Sequence, residues 1–146
     1  NGKVHNQSLE KMLRHPFFKK RHPKSTGKEV FNIKFIPKQL LRKSSYDVLA
    51  TLTELTASCI AKSLNSQKKL PDQGILCGGG IKNKFLCHSI QRLSKIDLVS
   101  SSQFGFNPQA IEAMAFGWMA RQRLCKNPLY VKDKKGLLGK ITRSKQ

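Results

Sequence analysis

The sequence predicts an α/β fold with helices packed on a small, partly parallel and incomplete sheet. Two observations carry that expectation. Two short apolar runs, "QGILC" from Gln73 and "KIDLVSSS" from Lys95, read as strands, and three helical patterns alternate with them. A helix between two strands implies a parallel pair with a right-handed crossover. Two strands are too few for a self-standing sheet, so the remainder is expected outside these 146 residues. Hydrophobic residues make up 38% and charged residues 25%, a globular composition, and the whole of 1–146 reads as one domain. Residue 1 is Asn, and no charged-then-apolar leader follows, which also suits a piece of a longer protein.

The first helical pattern is short: "LEKMLRH", capped by Ser8 and stopped by Pro16, with Phe17 and Phe18 as anchors. A basic loop, "KKRHPKSTGKEVFN", follows with proline and glycine turn signals. Its "TGKE" fails as a phosphate loop, because His22 stands where the first glycine belongs and Glu29 where Ser or Thr belongs. The stretch is read as a structured loop.

"SSYDVLATLTELTASCIAKSLNSQ" is a long helix. Ser44 with Asp47 resembles a capping box. Its inner stripe runs through Val48, Leu52, Leu55, Cys59 and Leu64 and is widened by Leu49 and Ile60. After "QGILC" come Gly78, Gly79 and Gly80, and Asn83 caps a helix whose inner face is Leu86, Ile90 and Leu93. "FGFNP" turns the chain, with Asn107 as cap and Pro108 at the first helical position. "QAIEAMAFGWMARQRLC" is apolar on most sides and is expected to be deeply buried. Asn127-Pro128 stops it. Residues 129–146 form a basic tail expected to be flexible, in which "GLLGKI" docks a last apolar segment before a frayed end.

The net charge of +20 admits a nucleic-acid-binding module as an alternative function. Against it, twenty-one of the 28 basic residues are Lys and only seven are Arg, whereas bidentate phosphate and base contacts favour Arg. Aromatic residues are not interleaved with the charges. A basic surface around a site for an anionic small molecule fits equally well. The four cysteines, Cys59, Cys77, Cys87 and Cys125, form no CxxC pair and no zinc spacing, so they read as reduced, mostly buried thiols and no metal site is expected. No apolar run reaches the ~20 residues of a membrane helix, and no membrane partner is expected.

The glycine run leaves two readings open. A dinucleotide fingerprint fails, because Asn83 stands in place of the third glycine and Asp97 lies at the wrong end of the next strand. Bare backbone at the carboxyl end of a strand can still let a flat ligand lie close, beside a helix N-terminus that favours anions. The bland alternative is a tight strand-to-helix turn. Glu112 is open in the same way. An acid in the first helical turn is justified by the helix dipole alone, or it accepts hydroxyl hydrogen bonds at a cleft edge. No G-x-S-x-G elbow or HExxH set is present.

Taken together and in order, "HPFF…HPKSTGKEVFN", "VLATLTELTA", "ILCGGGIKNKFLCHSIQRL" and "FGFNPQAIEAMAFGWMARQ" resemble the C-terminal half of the anhydro-N-acetylmuramic acid kinase family. The resemblance covers nearly the whole chain and weakens after Asn127. It implies the C-terminal lobe of an actin-like, ribonuclease H-like ATPase fold. It also implies an ATP-dependent, cytoplasmic bacterial enzyme of peptidoglycan recycling. That enzyme opens 1,6-anhydro-N-acetylmuramic acid with water and phosphorylates its 6-hydroxyl. By the same resemblance Gly78, Gly79, Gly80 and Asn83 bind the adenosine side of ATP, and Glu112 binds the sugar. The family's phosphate loop and catalytic aspartate have no match here. The isolated chain is therefore expected to be inactive, with catalysis and most Mg²⁺ binding supplied by an absent N-terminal lobe. "YVKDKKG" replaces the family's small-residue turn in the tail. An exposed half-sheet and apolar patch also invite a homodimer.

Overall fold

A computed structural model describes residues 2–21, 24–131 and 134–139. Contacts divide the chain into two compact units: Asn1–Ile75 with Gly80–Val99, and Leu76–Gly79 with Ser100–Gln146.

The first unit is organised by one long helix. Helix α1 (Asn6–Leu13) is followed by the short α2 (Pro16–Lys19), a 3-10 turn at Ile33–Phe35, and α3 (Lys38–Leu41). Then come the long α4 (Ser45–Asn65), strand β1 (Gln73–Leu76), α5 (Lys84–Leu93) and strand β2 (Asp97–Ser100). β1 and β2 form a parallel two-stranded sheet, as the strand–helix–strand order requires. Met12, Leu40 and Leu55 form the buried centre, with Leu9, Leu13, Phe18, Phe35, Ile36, Val48, Leu52 and Cys59 packed around it. Each fully buried large apolar side chain here contributes roughly 1.5–3 kcal/mol.

The chain before α1 is tied along α4. Lys3 N–H donates to Asp47 Oδ1 at 2.6 Å, and His5 N–H donates to Thr51 Oγ1 at 2.9 Å. Gly2 is required there, because a Cβ would lie 1.9 Å from the Tyr46 carbonyl oxygen. The far end of α4 is tied to the far end of α5: Asn65 Nδ2 donates to Leu93 O at 3.0 Å, while its Oδ1 accepts from Lys95 N–H at 2.9 Å.

Ser44 caps α4 as expected, accepting from Asp47 N–H at 3.1 Å. The reciprocal half of a capping box is absent, since the Asp47 carboxylate takes Lys3 N–H. Leu49 and Ile60 do not widen the inner stripe. They are 62% and 38% exposed, and Thr51, Glu54, Ala57 and Ala61 face inward beside Leu55 instead. Small residues on that face let α5 approach closely. Ser8 does not cap α1: it is fully buried inside the helix, and His5 caps it by accepting Ser8 N–H at 3.3 Å. Pro16 does more than stop α1. It stands at the first position of α2, capped by His15. Phe17 and Phe18 do serve as anchors, stacking in a cluster with Phe31, Phe35 and His15.

The second unit contains a 3-10 turn at Ser101–Phe104, helix α6 (Ile111–Leu124) and an antiparallel hairpin. The hairpin pairs β3 (Leu129–Val131) with β4 (Lys134–Gly136). Asn107 does not cap α6. Its Oδ1 accepts from Gln109 N–H at 2.9 Å and closes the turn before the helix, which starts from Ala110 without a side-chain cap. Nor is α6 buried: Met114, Phe116, Trp118 and Leu124 are 50–71% exposed. An apolar helix predicts burial only against a partner, and the described residues do not cover this one. Leu137 and Leu138 of the expected docking segment are both 40% exposed, and residues 140–146 lie outside the described residues.

Candidate functional site

The three glycines leave the carboxyl end of β1, and each has a different physical status. Gly78 has φ +81°, a conformation that favours glycine. It is held on both sides: its N–H donates to Pro108 O at 2.8 Å, and its carbonyl accepts from Gln109 Nε2 at 3.0 Å. Gly80 is an ordinary contact, since a Cβ there would sit 3.7 Å from Leu86 Cδ2. Gly79 has neither reason. Its φ is not in the left-handed region, and a Cβ would meet nothing within 4 Å. The fold accepts a side chain at Gly79, yet backbone is left bare there.

A 3-10 turn over Gly79–Lys82 then delivers the chain to α5. Asn83 caps that helix as predicted. Its N–H donates to Gly80 O at 3.0 Å and its Oδ1 accepts from Leu86 N–H at 3.0 Å, which leaves Nδ2 as a donor. The Lys84 and Phe85 N–H groups precede the capped turn and lack helical acceptors. Cys87 Sγ, at 3.6 Å from Ile81 O, braces the same turn.

Glu112 lies in the first turn of α6 and is exposed. Among the described residues it has no hydrogen bond or ion pair. The turn that holds Gly78 leads directly into this helix, so Gly78, Gln109 and Glu112 belong to the second unit. Gly80 and Asn83 are built by the first.

The loop at Thr26–Asn32 is structured, as expected. Gly27 N–H donates to Glu29 Oε1 at 2.7 Å, and the Thr26 hydroxyl donates to the same oxygen at 3.5 Å. Hydrogen bonding by the Glu29 and Gly27 N–H groups holds the Glu29 carboxyl below its usual range. The N–H groups that a phosphate would use in a phosphate loop are thus taken by the chain's own carboxylate.

The four cysteines are free thiols, but only Cys59 and Cys87 are half-buried; Cys77 and Cys125 are exposed, against expectation. Their neighbours in sequence are apolar, but those neighbours do not enclose them. Among the described residues no helix is long and apolar enough to cross a membrane, and no three His, Cys, Asp or Glu side chains gather as metal ligands.

Two polar features escaped the sequence reading. Glu54, buried on α4, accepts from Ser89 Oγ at 2.6 Å and from Arg92 on α5. Its signal was an acid on the apolar stripe, with Ser89 and Arg92 one turn apart on the next helix. Gln109 left no signal, being an exposed polar residue in a turn.

The family model of anhydro-N-acetylmuramic acid kinase matches residues 1–142. A relative of that name from gamma-proteobacterium EBAC31A08 is 43% identical over 99% of this chain and 41% of its own length. Another, from Idiomarina loihiensis, is 42% identical over 81% of this chain and 33% of its own length. One from Pseudomonas syringae pv. syringae is 43% identical over 82% of this chain and 34% of its own length. The chain thus spans well under half of each relative, matching their C-terminal half. The chain belongs to the anhydro-N-acetylmuramic acid kinase family.

Proposed function

We propose that this chain is the nucleotide-binding C-terminal lobe of an ATP-dependent sugar kinase. That kinase converts 1,6-anhydro-N-acetylmuramic acid to N-acetylmuramic acid 6-phosphate in the bacterial cytoplasm during peptidoglycan recycling. The observation that carries the reading is Gly79: bare backbone that the fold does not require, at the carboxyl end of a strand and before a helix N-terminus. The naming of the relatives as anhydro-N-acetylmuramic acid kinases supports the sugar and the reaction class.

In this reading the adenosine lies flat against Gly79 and Gly80. Asn83 Nδ2 and the first N–H groups of α5 are the polar donors beside it. Gly78 holds the turn in place through its bonds to Pro108 and Gln109. Glu112, exposed in the first turn of α6, accepts a hydroxyl hydrogen bond from the sugar. In the reaction water adds across the anhydro bridge, and the γ-phosphoryl group passes to the freed 6-oxygen, leaving ADP. Phosphoryl transfer of this kind uses Mg²⁺ to offset charge. In this reading the ion is held mainly by the phosphate loop and catalytic aspartate of the N-terminal lobe.

The test is Gly79→Val in the complete enzyme, with ATP binding measured calorimetrically. Binding is expected to vanish while the melting temperature holds, and unchanged affinity overturns the adenosine assignment. The isolated chain is expected to show no ATP-dependent phosphorylation of the anhydro sugar; turnover by it would contradict the division of labour.

A further inference from the structure

A recess in the first unit gathers positive charge without any acid. It encloses about 410 Å³; its apolar floor includes Phe17, Phe18 and Cys59, and it is ringed by Lys19 at the end of α2, Lys20 and Arg21 after it, Lys24, and Lys62 on the last turn of α4. Among the described residues, no Asp or Glu lines it. Among the described residues the two ion pairs lie elsewhere, Glu10 with Arg14 and Glu54 with Arg92.

Among the described residues, only Lys24 of these cations makes a hydrogen bond through its side chain. Lys24 Nζ donates to Phe17 O at 3.2 Å and Phe18 O at 3.3 Å, and stands 5.0 Å from the centre of the Phe17 ring. It is therefore a fixed charge. Lys62 is not needed to cap α4. The carbonyls of that end are taken by Ser66 and Gln67: Lys62 O accepts Ser66 N–H at 3.1 Å, and Ser63 O accepts Ser66 Oγ at 2.8 Å. Lys24 and Lys62 both bear on the half-buried Cys59 thiol, whose pKa burial nonetheless raises. Two segments distant in sequence thus bring ammonium groups to one wall. Like charges gathered this way repel, and a bound anion reverses the sign of that energy.

We propose that this recess binds a compact anion carrying two or three linked phosphate groups. Arg21 supplies a planar fork for a pair of phosphate oxygens, and the lysines supply point charges around it. A nucleic-acid strand fits less well. Its bases need free aromatic faces, and Phe17 and Phe18 are engaged with Phe31 at centroid distances of 5.4 and 5.6 Å. None of these residues belongs to the proposed adenosine or sugar positions, so the inference stands apart from the kinase reading.

The experiment is calorimetric titration of the chain with inorganic tripolyphosphate at physiological salt. One site per chain is expected. Lys20→Glu with Lys62→Glu should weaken it at least about tenfold, since charge-assisted contacts are lost. Lys34→Glu with Lys38→Glu makes the same change in net charge on another exposed surface, and should change affinity by less than about twofold. All four lysines are exposed, so both variants should keep the wild-type circular dichroism spectrum. Repeating the titration with ATP in the Gly79→Val background identifies the source. Competition with tripolyphosphate marks the phosphate tail of a nucleotide, and independence marks a free polyphosphate; either agrees with the proposal. No saturable binding, several sites per chain, or equal loss in the two double variants overturns it. So does tighter binding of a 20-nucleotide single strand that survives Lys20→Glu with Lys62→Glu.

Discussion

Ser89 Oγ donates to Glu54 Oε2 at 2.6 Å across the α4–α5 contact. Ser89 is 1% exposed and Glu54 6%, so this hydrogen bond is made away from water. Arg92 reaches the other carboxylate oxygen from the edge, with about half its side chain in solvent. A buried carboxylate stripped of a donor keeps its desolvation cost and loses its compensation. Ser89→Ala should therefore lower stability by about 1–3 kcal/mol in denaturant melts. Arg92→Ala should cost less than a fully buried pair would, because solvent screens the exposed half. The two losses share Glu54 and should couple by about 0.5 kcal/mol or more in a double-mutant cycle. Strict additivity would contradict the shared carboxylate.

Acid should loosen the N-terminal segment first. Asp47 is held below the usual aspartate range chiefly by Lys3 N–H, then by Ser44 and by nearby lysine charge. A carboxyl depressed on folding contributes stability that is complete above its unfolded pKa. That stability is lost as pH falls through the lower folded value. Glu29, depressed by its own N–H and that of Gly27, behaves the same way in its loop. The Lys3 and Gly27 amide resonances should shift together with these carboxyls on acid titration. Asp47→Asn should remove the Lys3 response and leave that of Gly27. A Lys3 amide that titrates unchanged in Asp47→Asn would rule out the assignment.

Local signals were legible in the sequence, and signals that depend on a distant partner were not. Ser44 and Asn83 cap their helices because a short side-chain oxygen reaches N–H groups three residues on, whatever surrounds it. His5 does the same work for α1 but is a less favoured cap, so Ser8 drew the assignment. The α6 error is of another kind. Apolarity on most faces shows that Phe116 and Trp118 want cover, but not whether these 146 residues contain it. Leu49 and Ile60 failed for the same reason, since periodicity marks a stripe and only packing sets its width. At the candidate site the turn itself was readable. The distinction among its three glycines was not, because it rests on φ and on what a Cβ would meet.

Gln109 should govern the order of the glycine turn. It is exposed, yet its Nε2 carries one of the two bonds that hold Gly78. Gln109→Ala leaves the Gly78 N–H bond to Pro108 in place and removes the restraint on the carbonyl. Global stability should fall by no more than about 1 kcal/mol. Hydrogen exchange at the Gly78 amide should accelerate well beyond what that global change explains. Gln109→Glu keeps the length but offers no amide donor, and should behave like the Ala variant. Normal protection in both would show that Pro108 alone suffices.

Gly78 and Gly79 should respond in opposite directions to one methyl group. At Gly78, φ +81° makes Ala cost about 1–2 kcal/mol, even though a Cβ would touch nothing. At Gly79 the backbone accepts Ala, space is open, and fewer unfolded conformations are lost on folding. Gly79→Ala should therefore be neutral or stabilising by up to about 1 kcal/mol. Denaturant melts of the two variants measure this directly. If the complete enzyme carrying Gly79→Ala is at least as stable as wild type but binds ATP more weakly, stability and function separate at one residue. A glycine kept for a turn cannot produce that result. Weakened stability in Gly79→Ala would return Gly79 to the role of a simple bend.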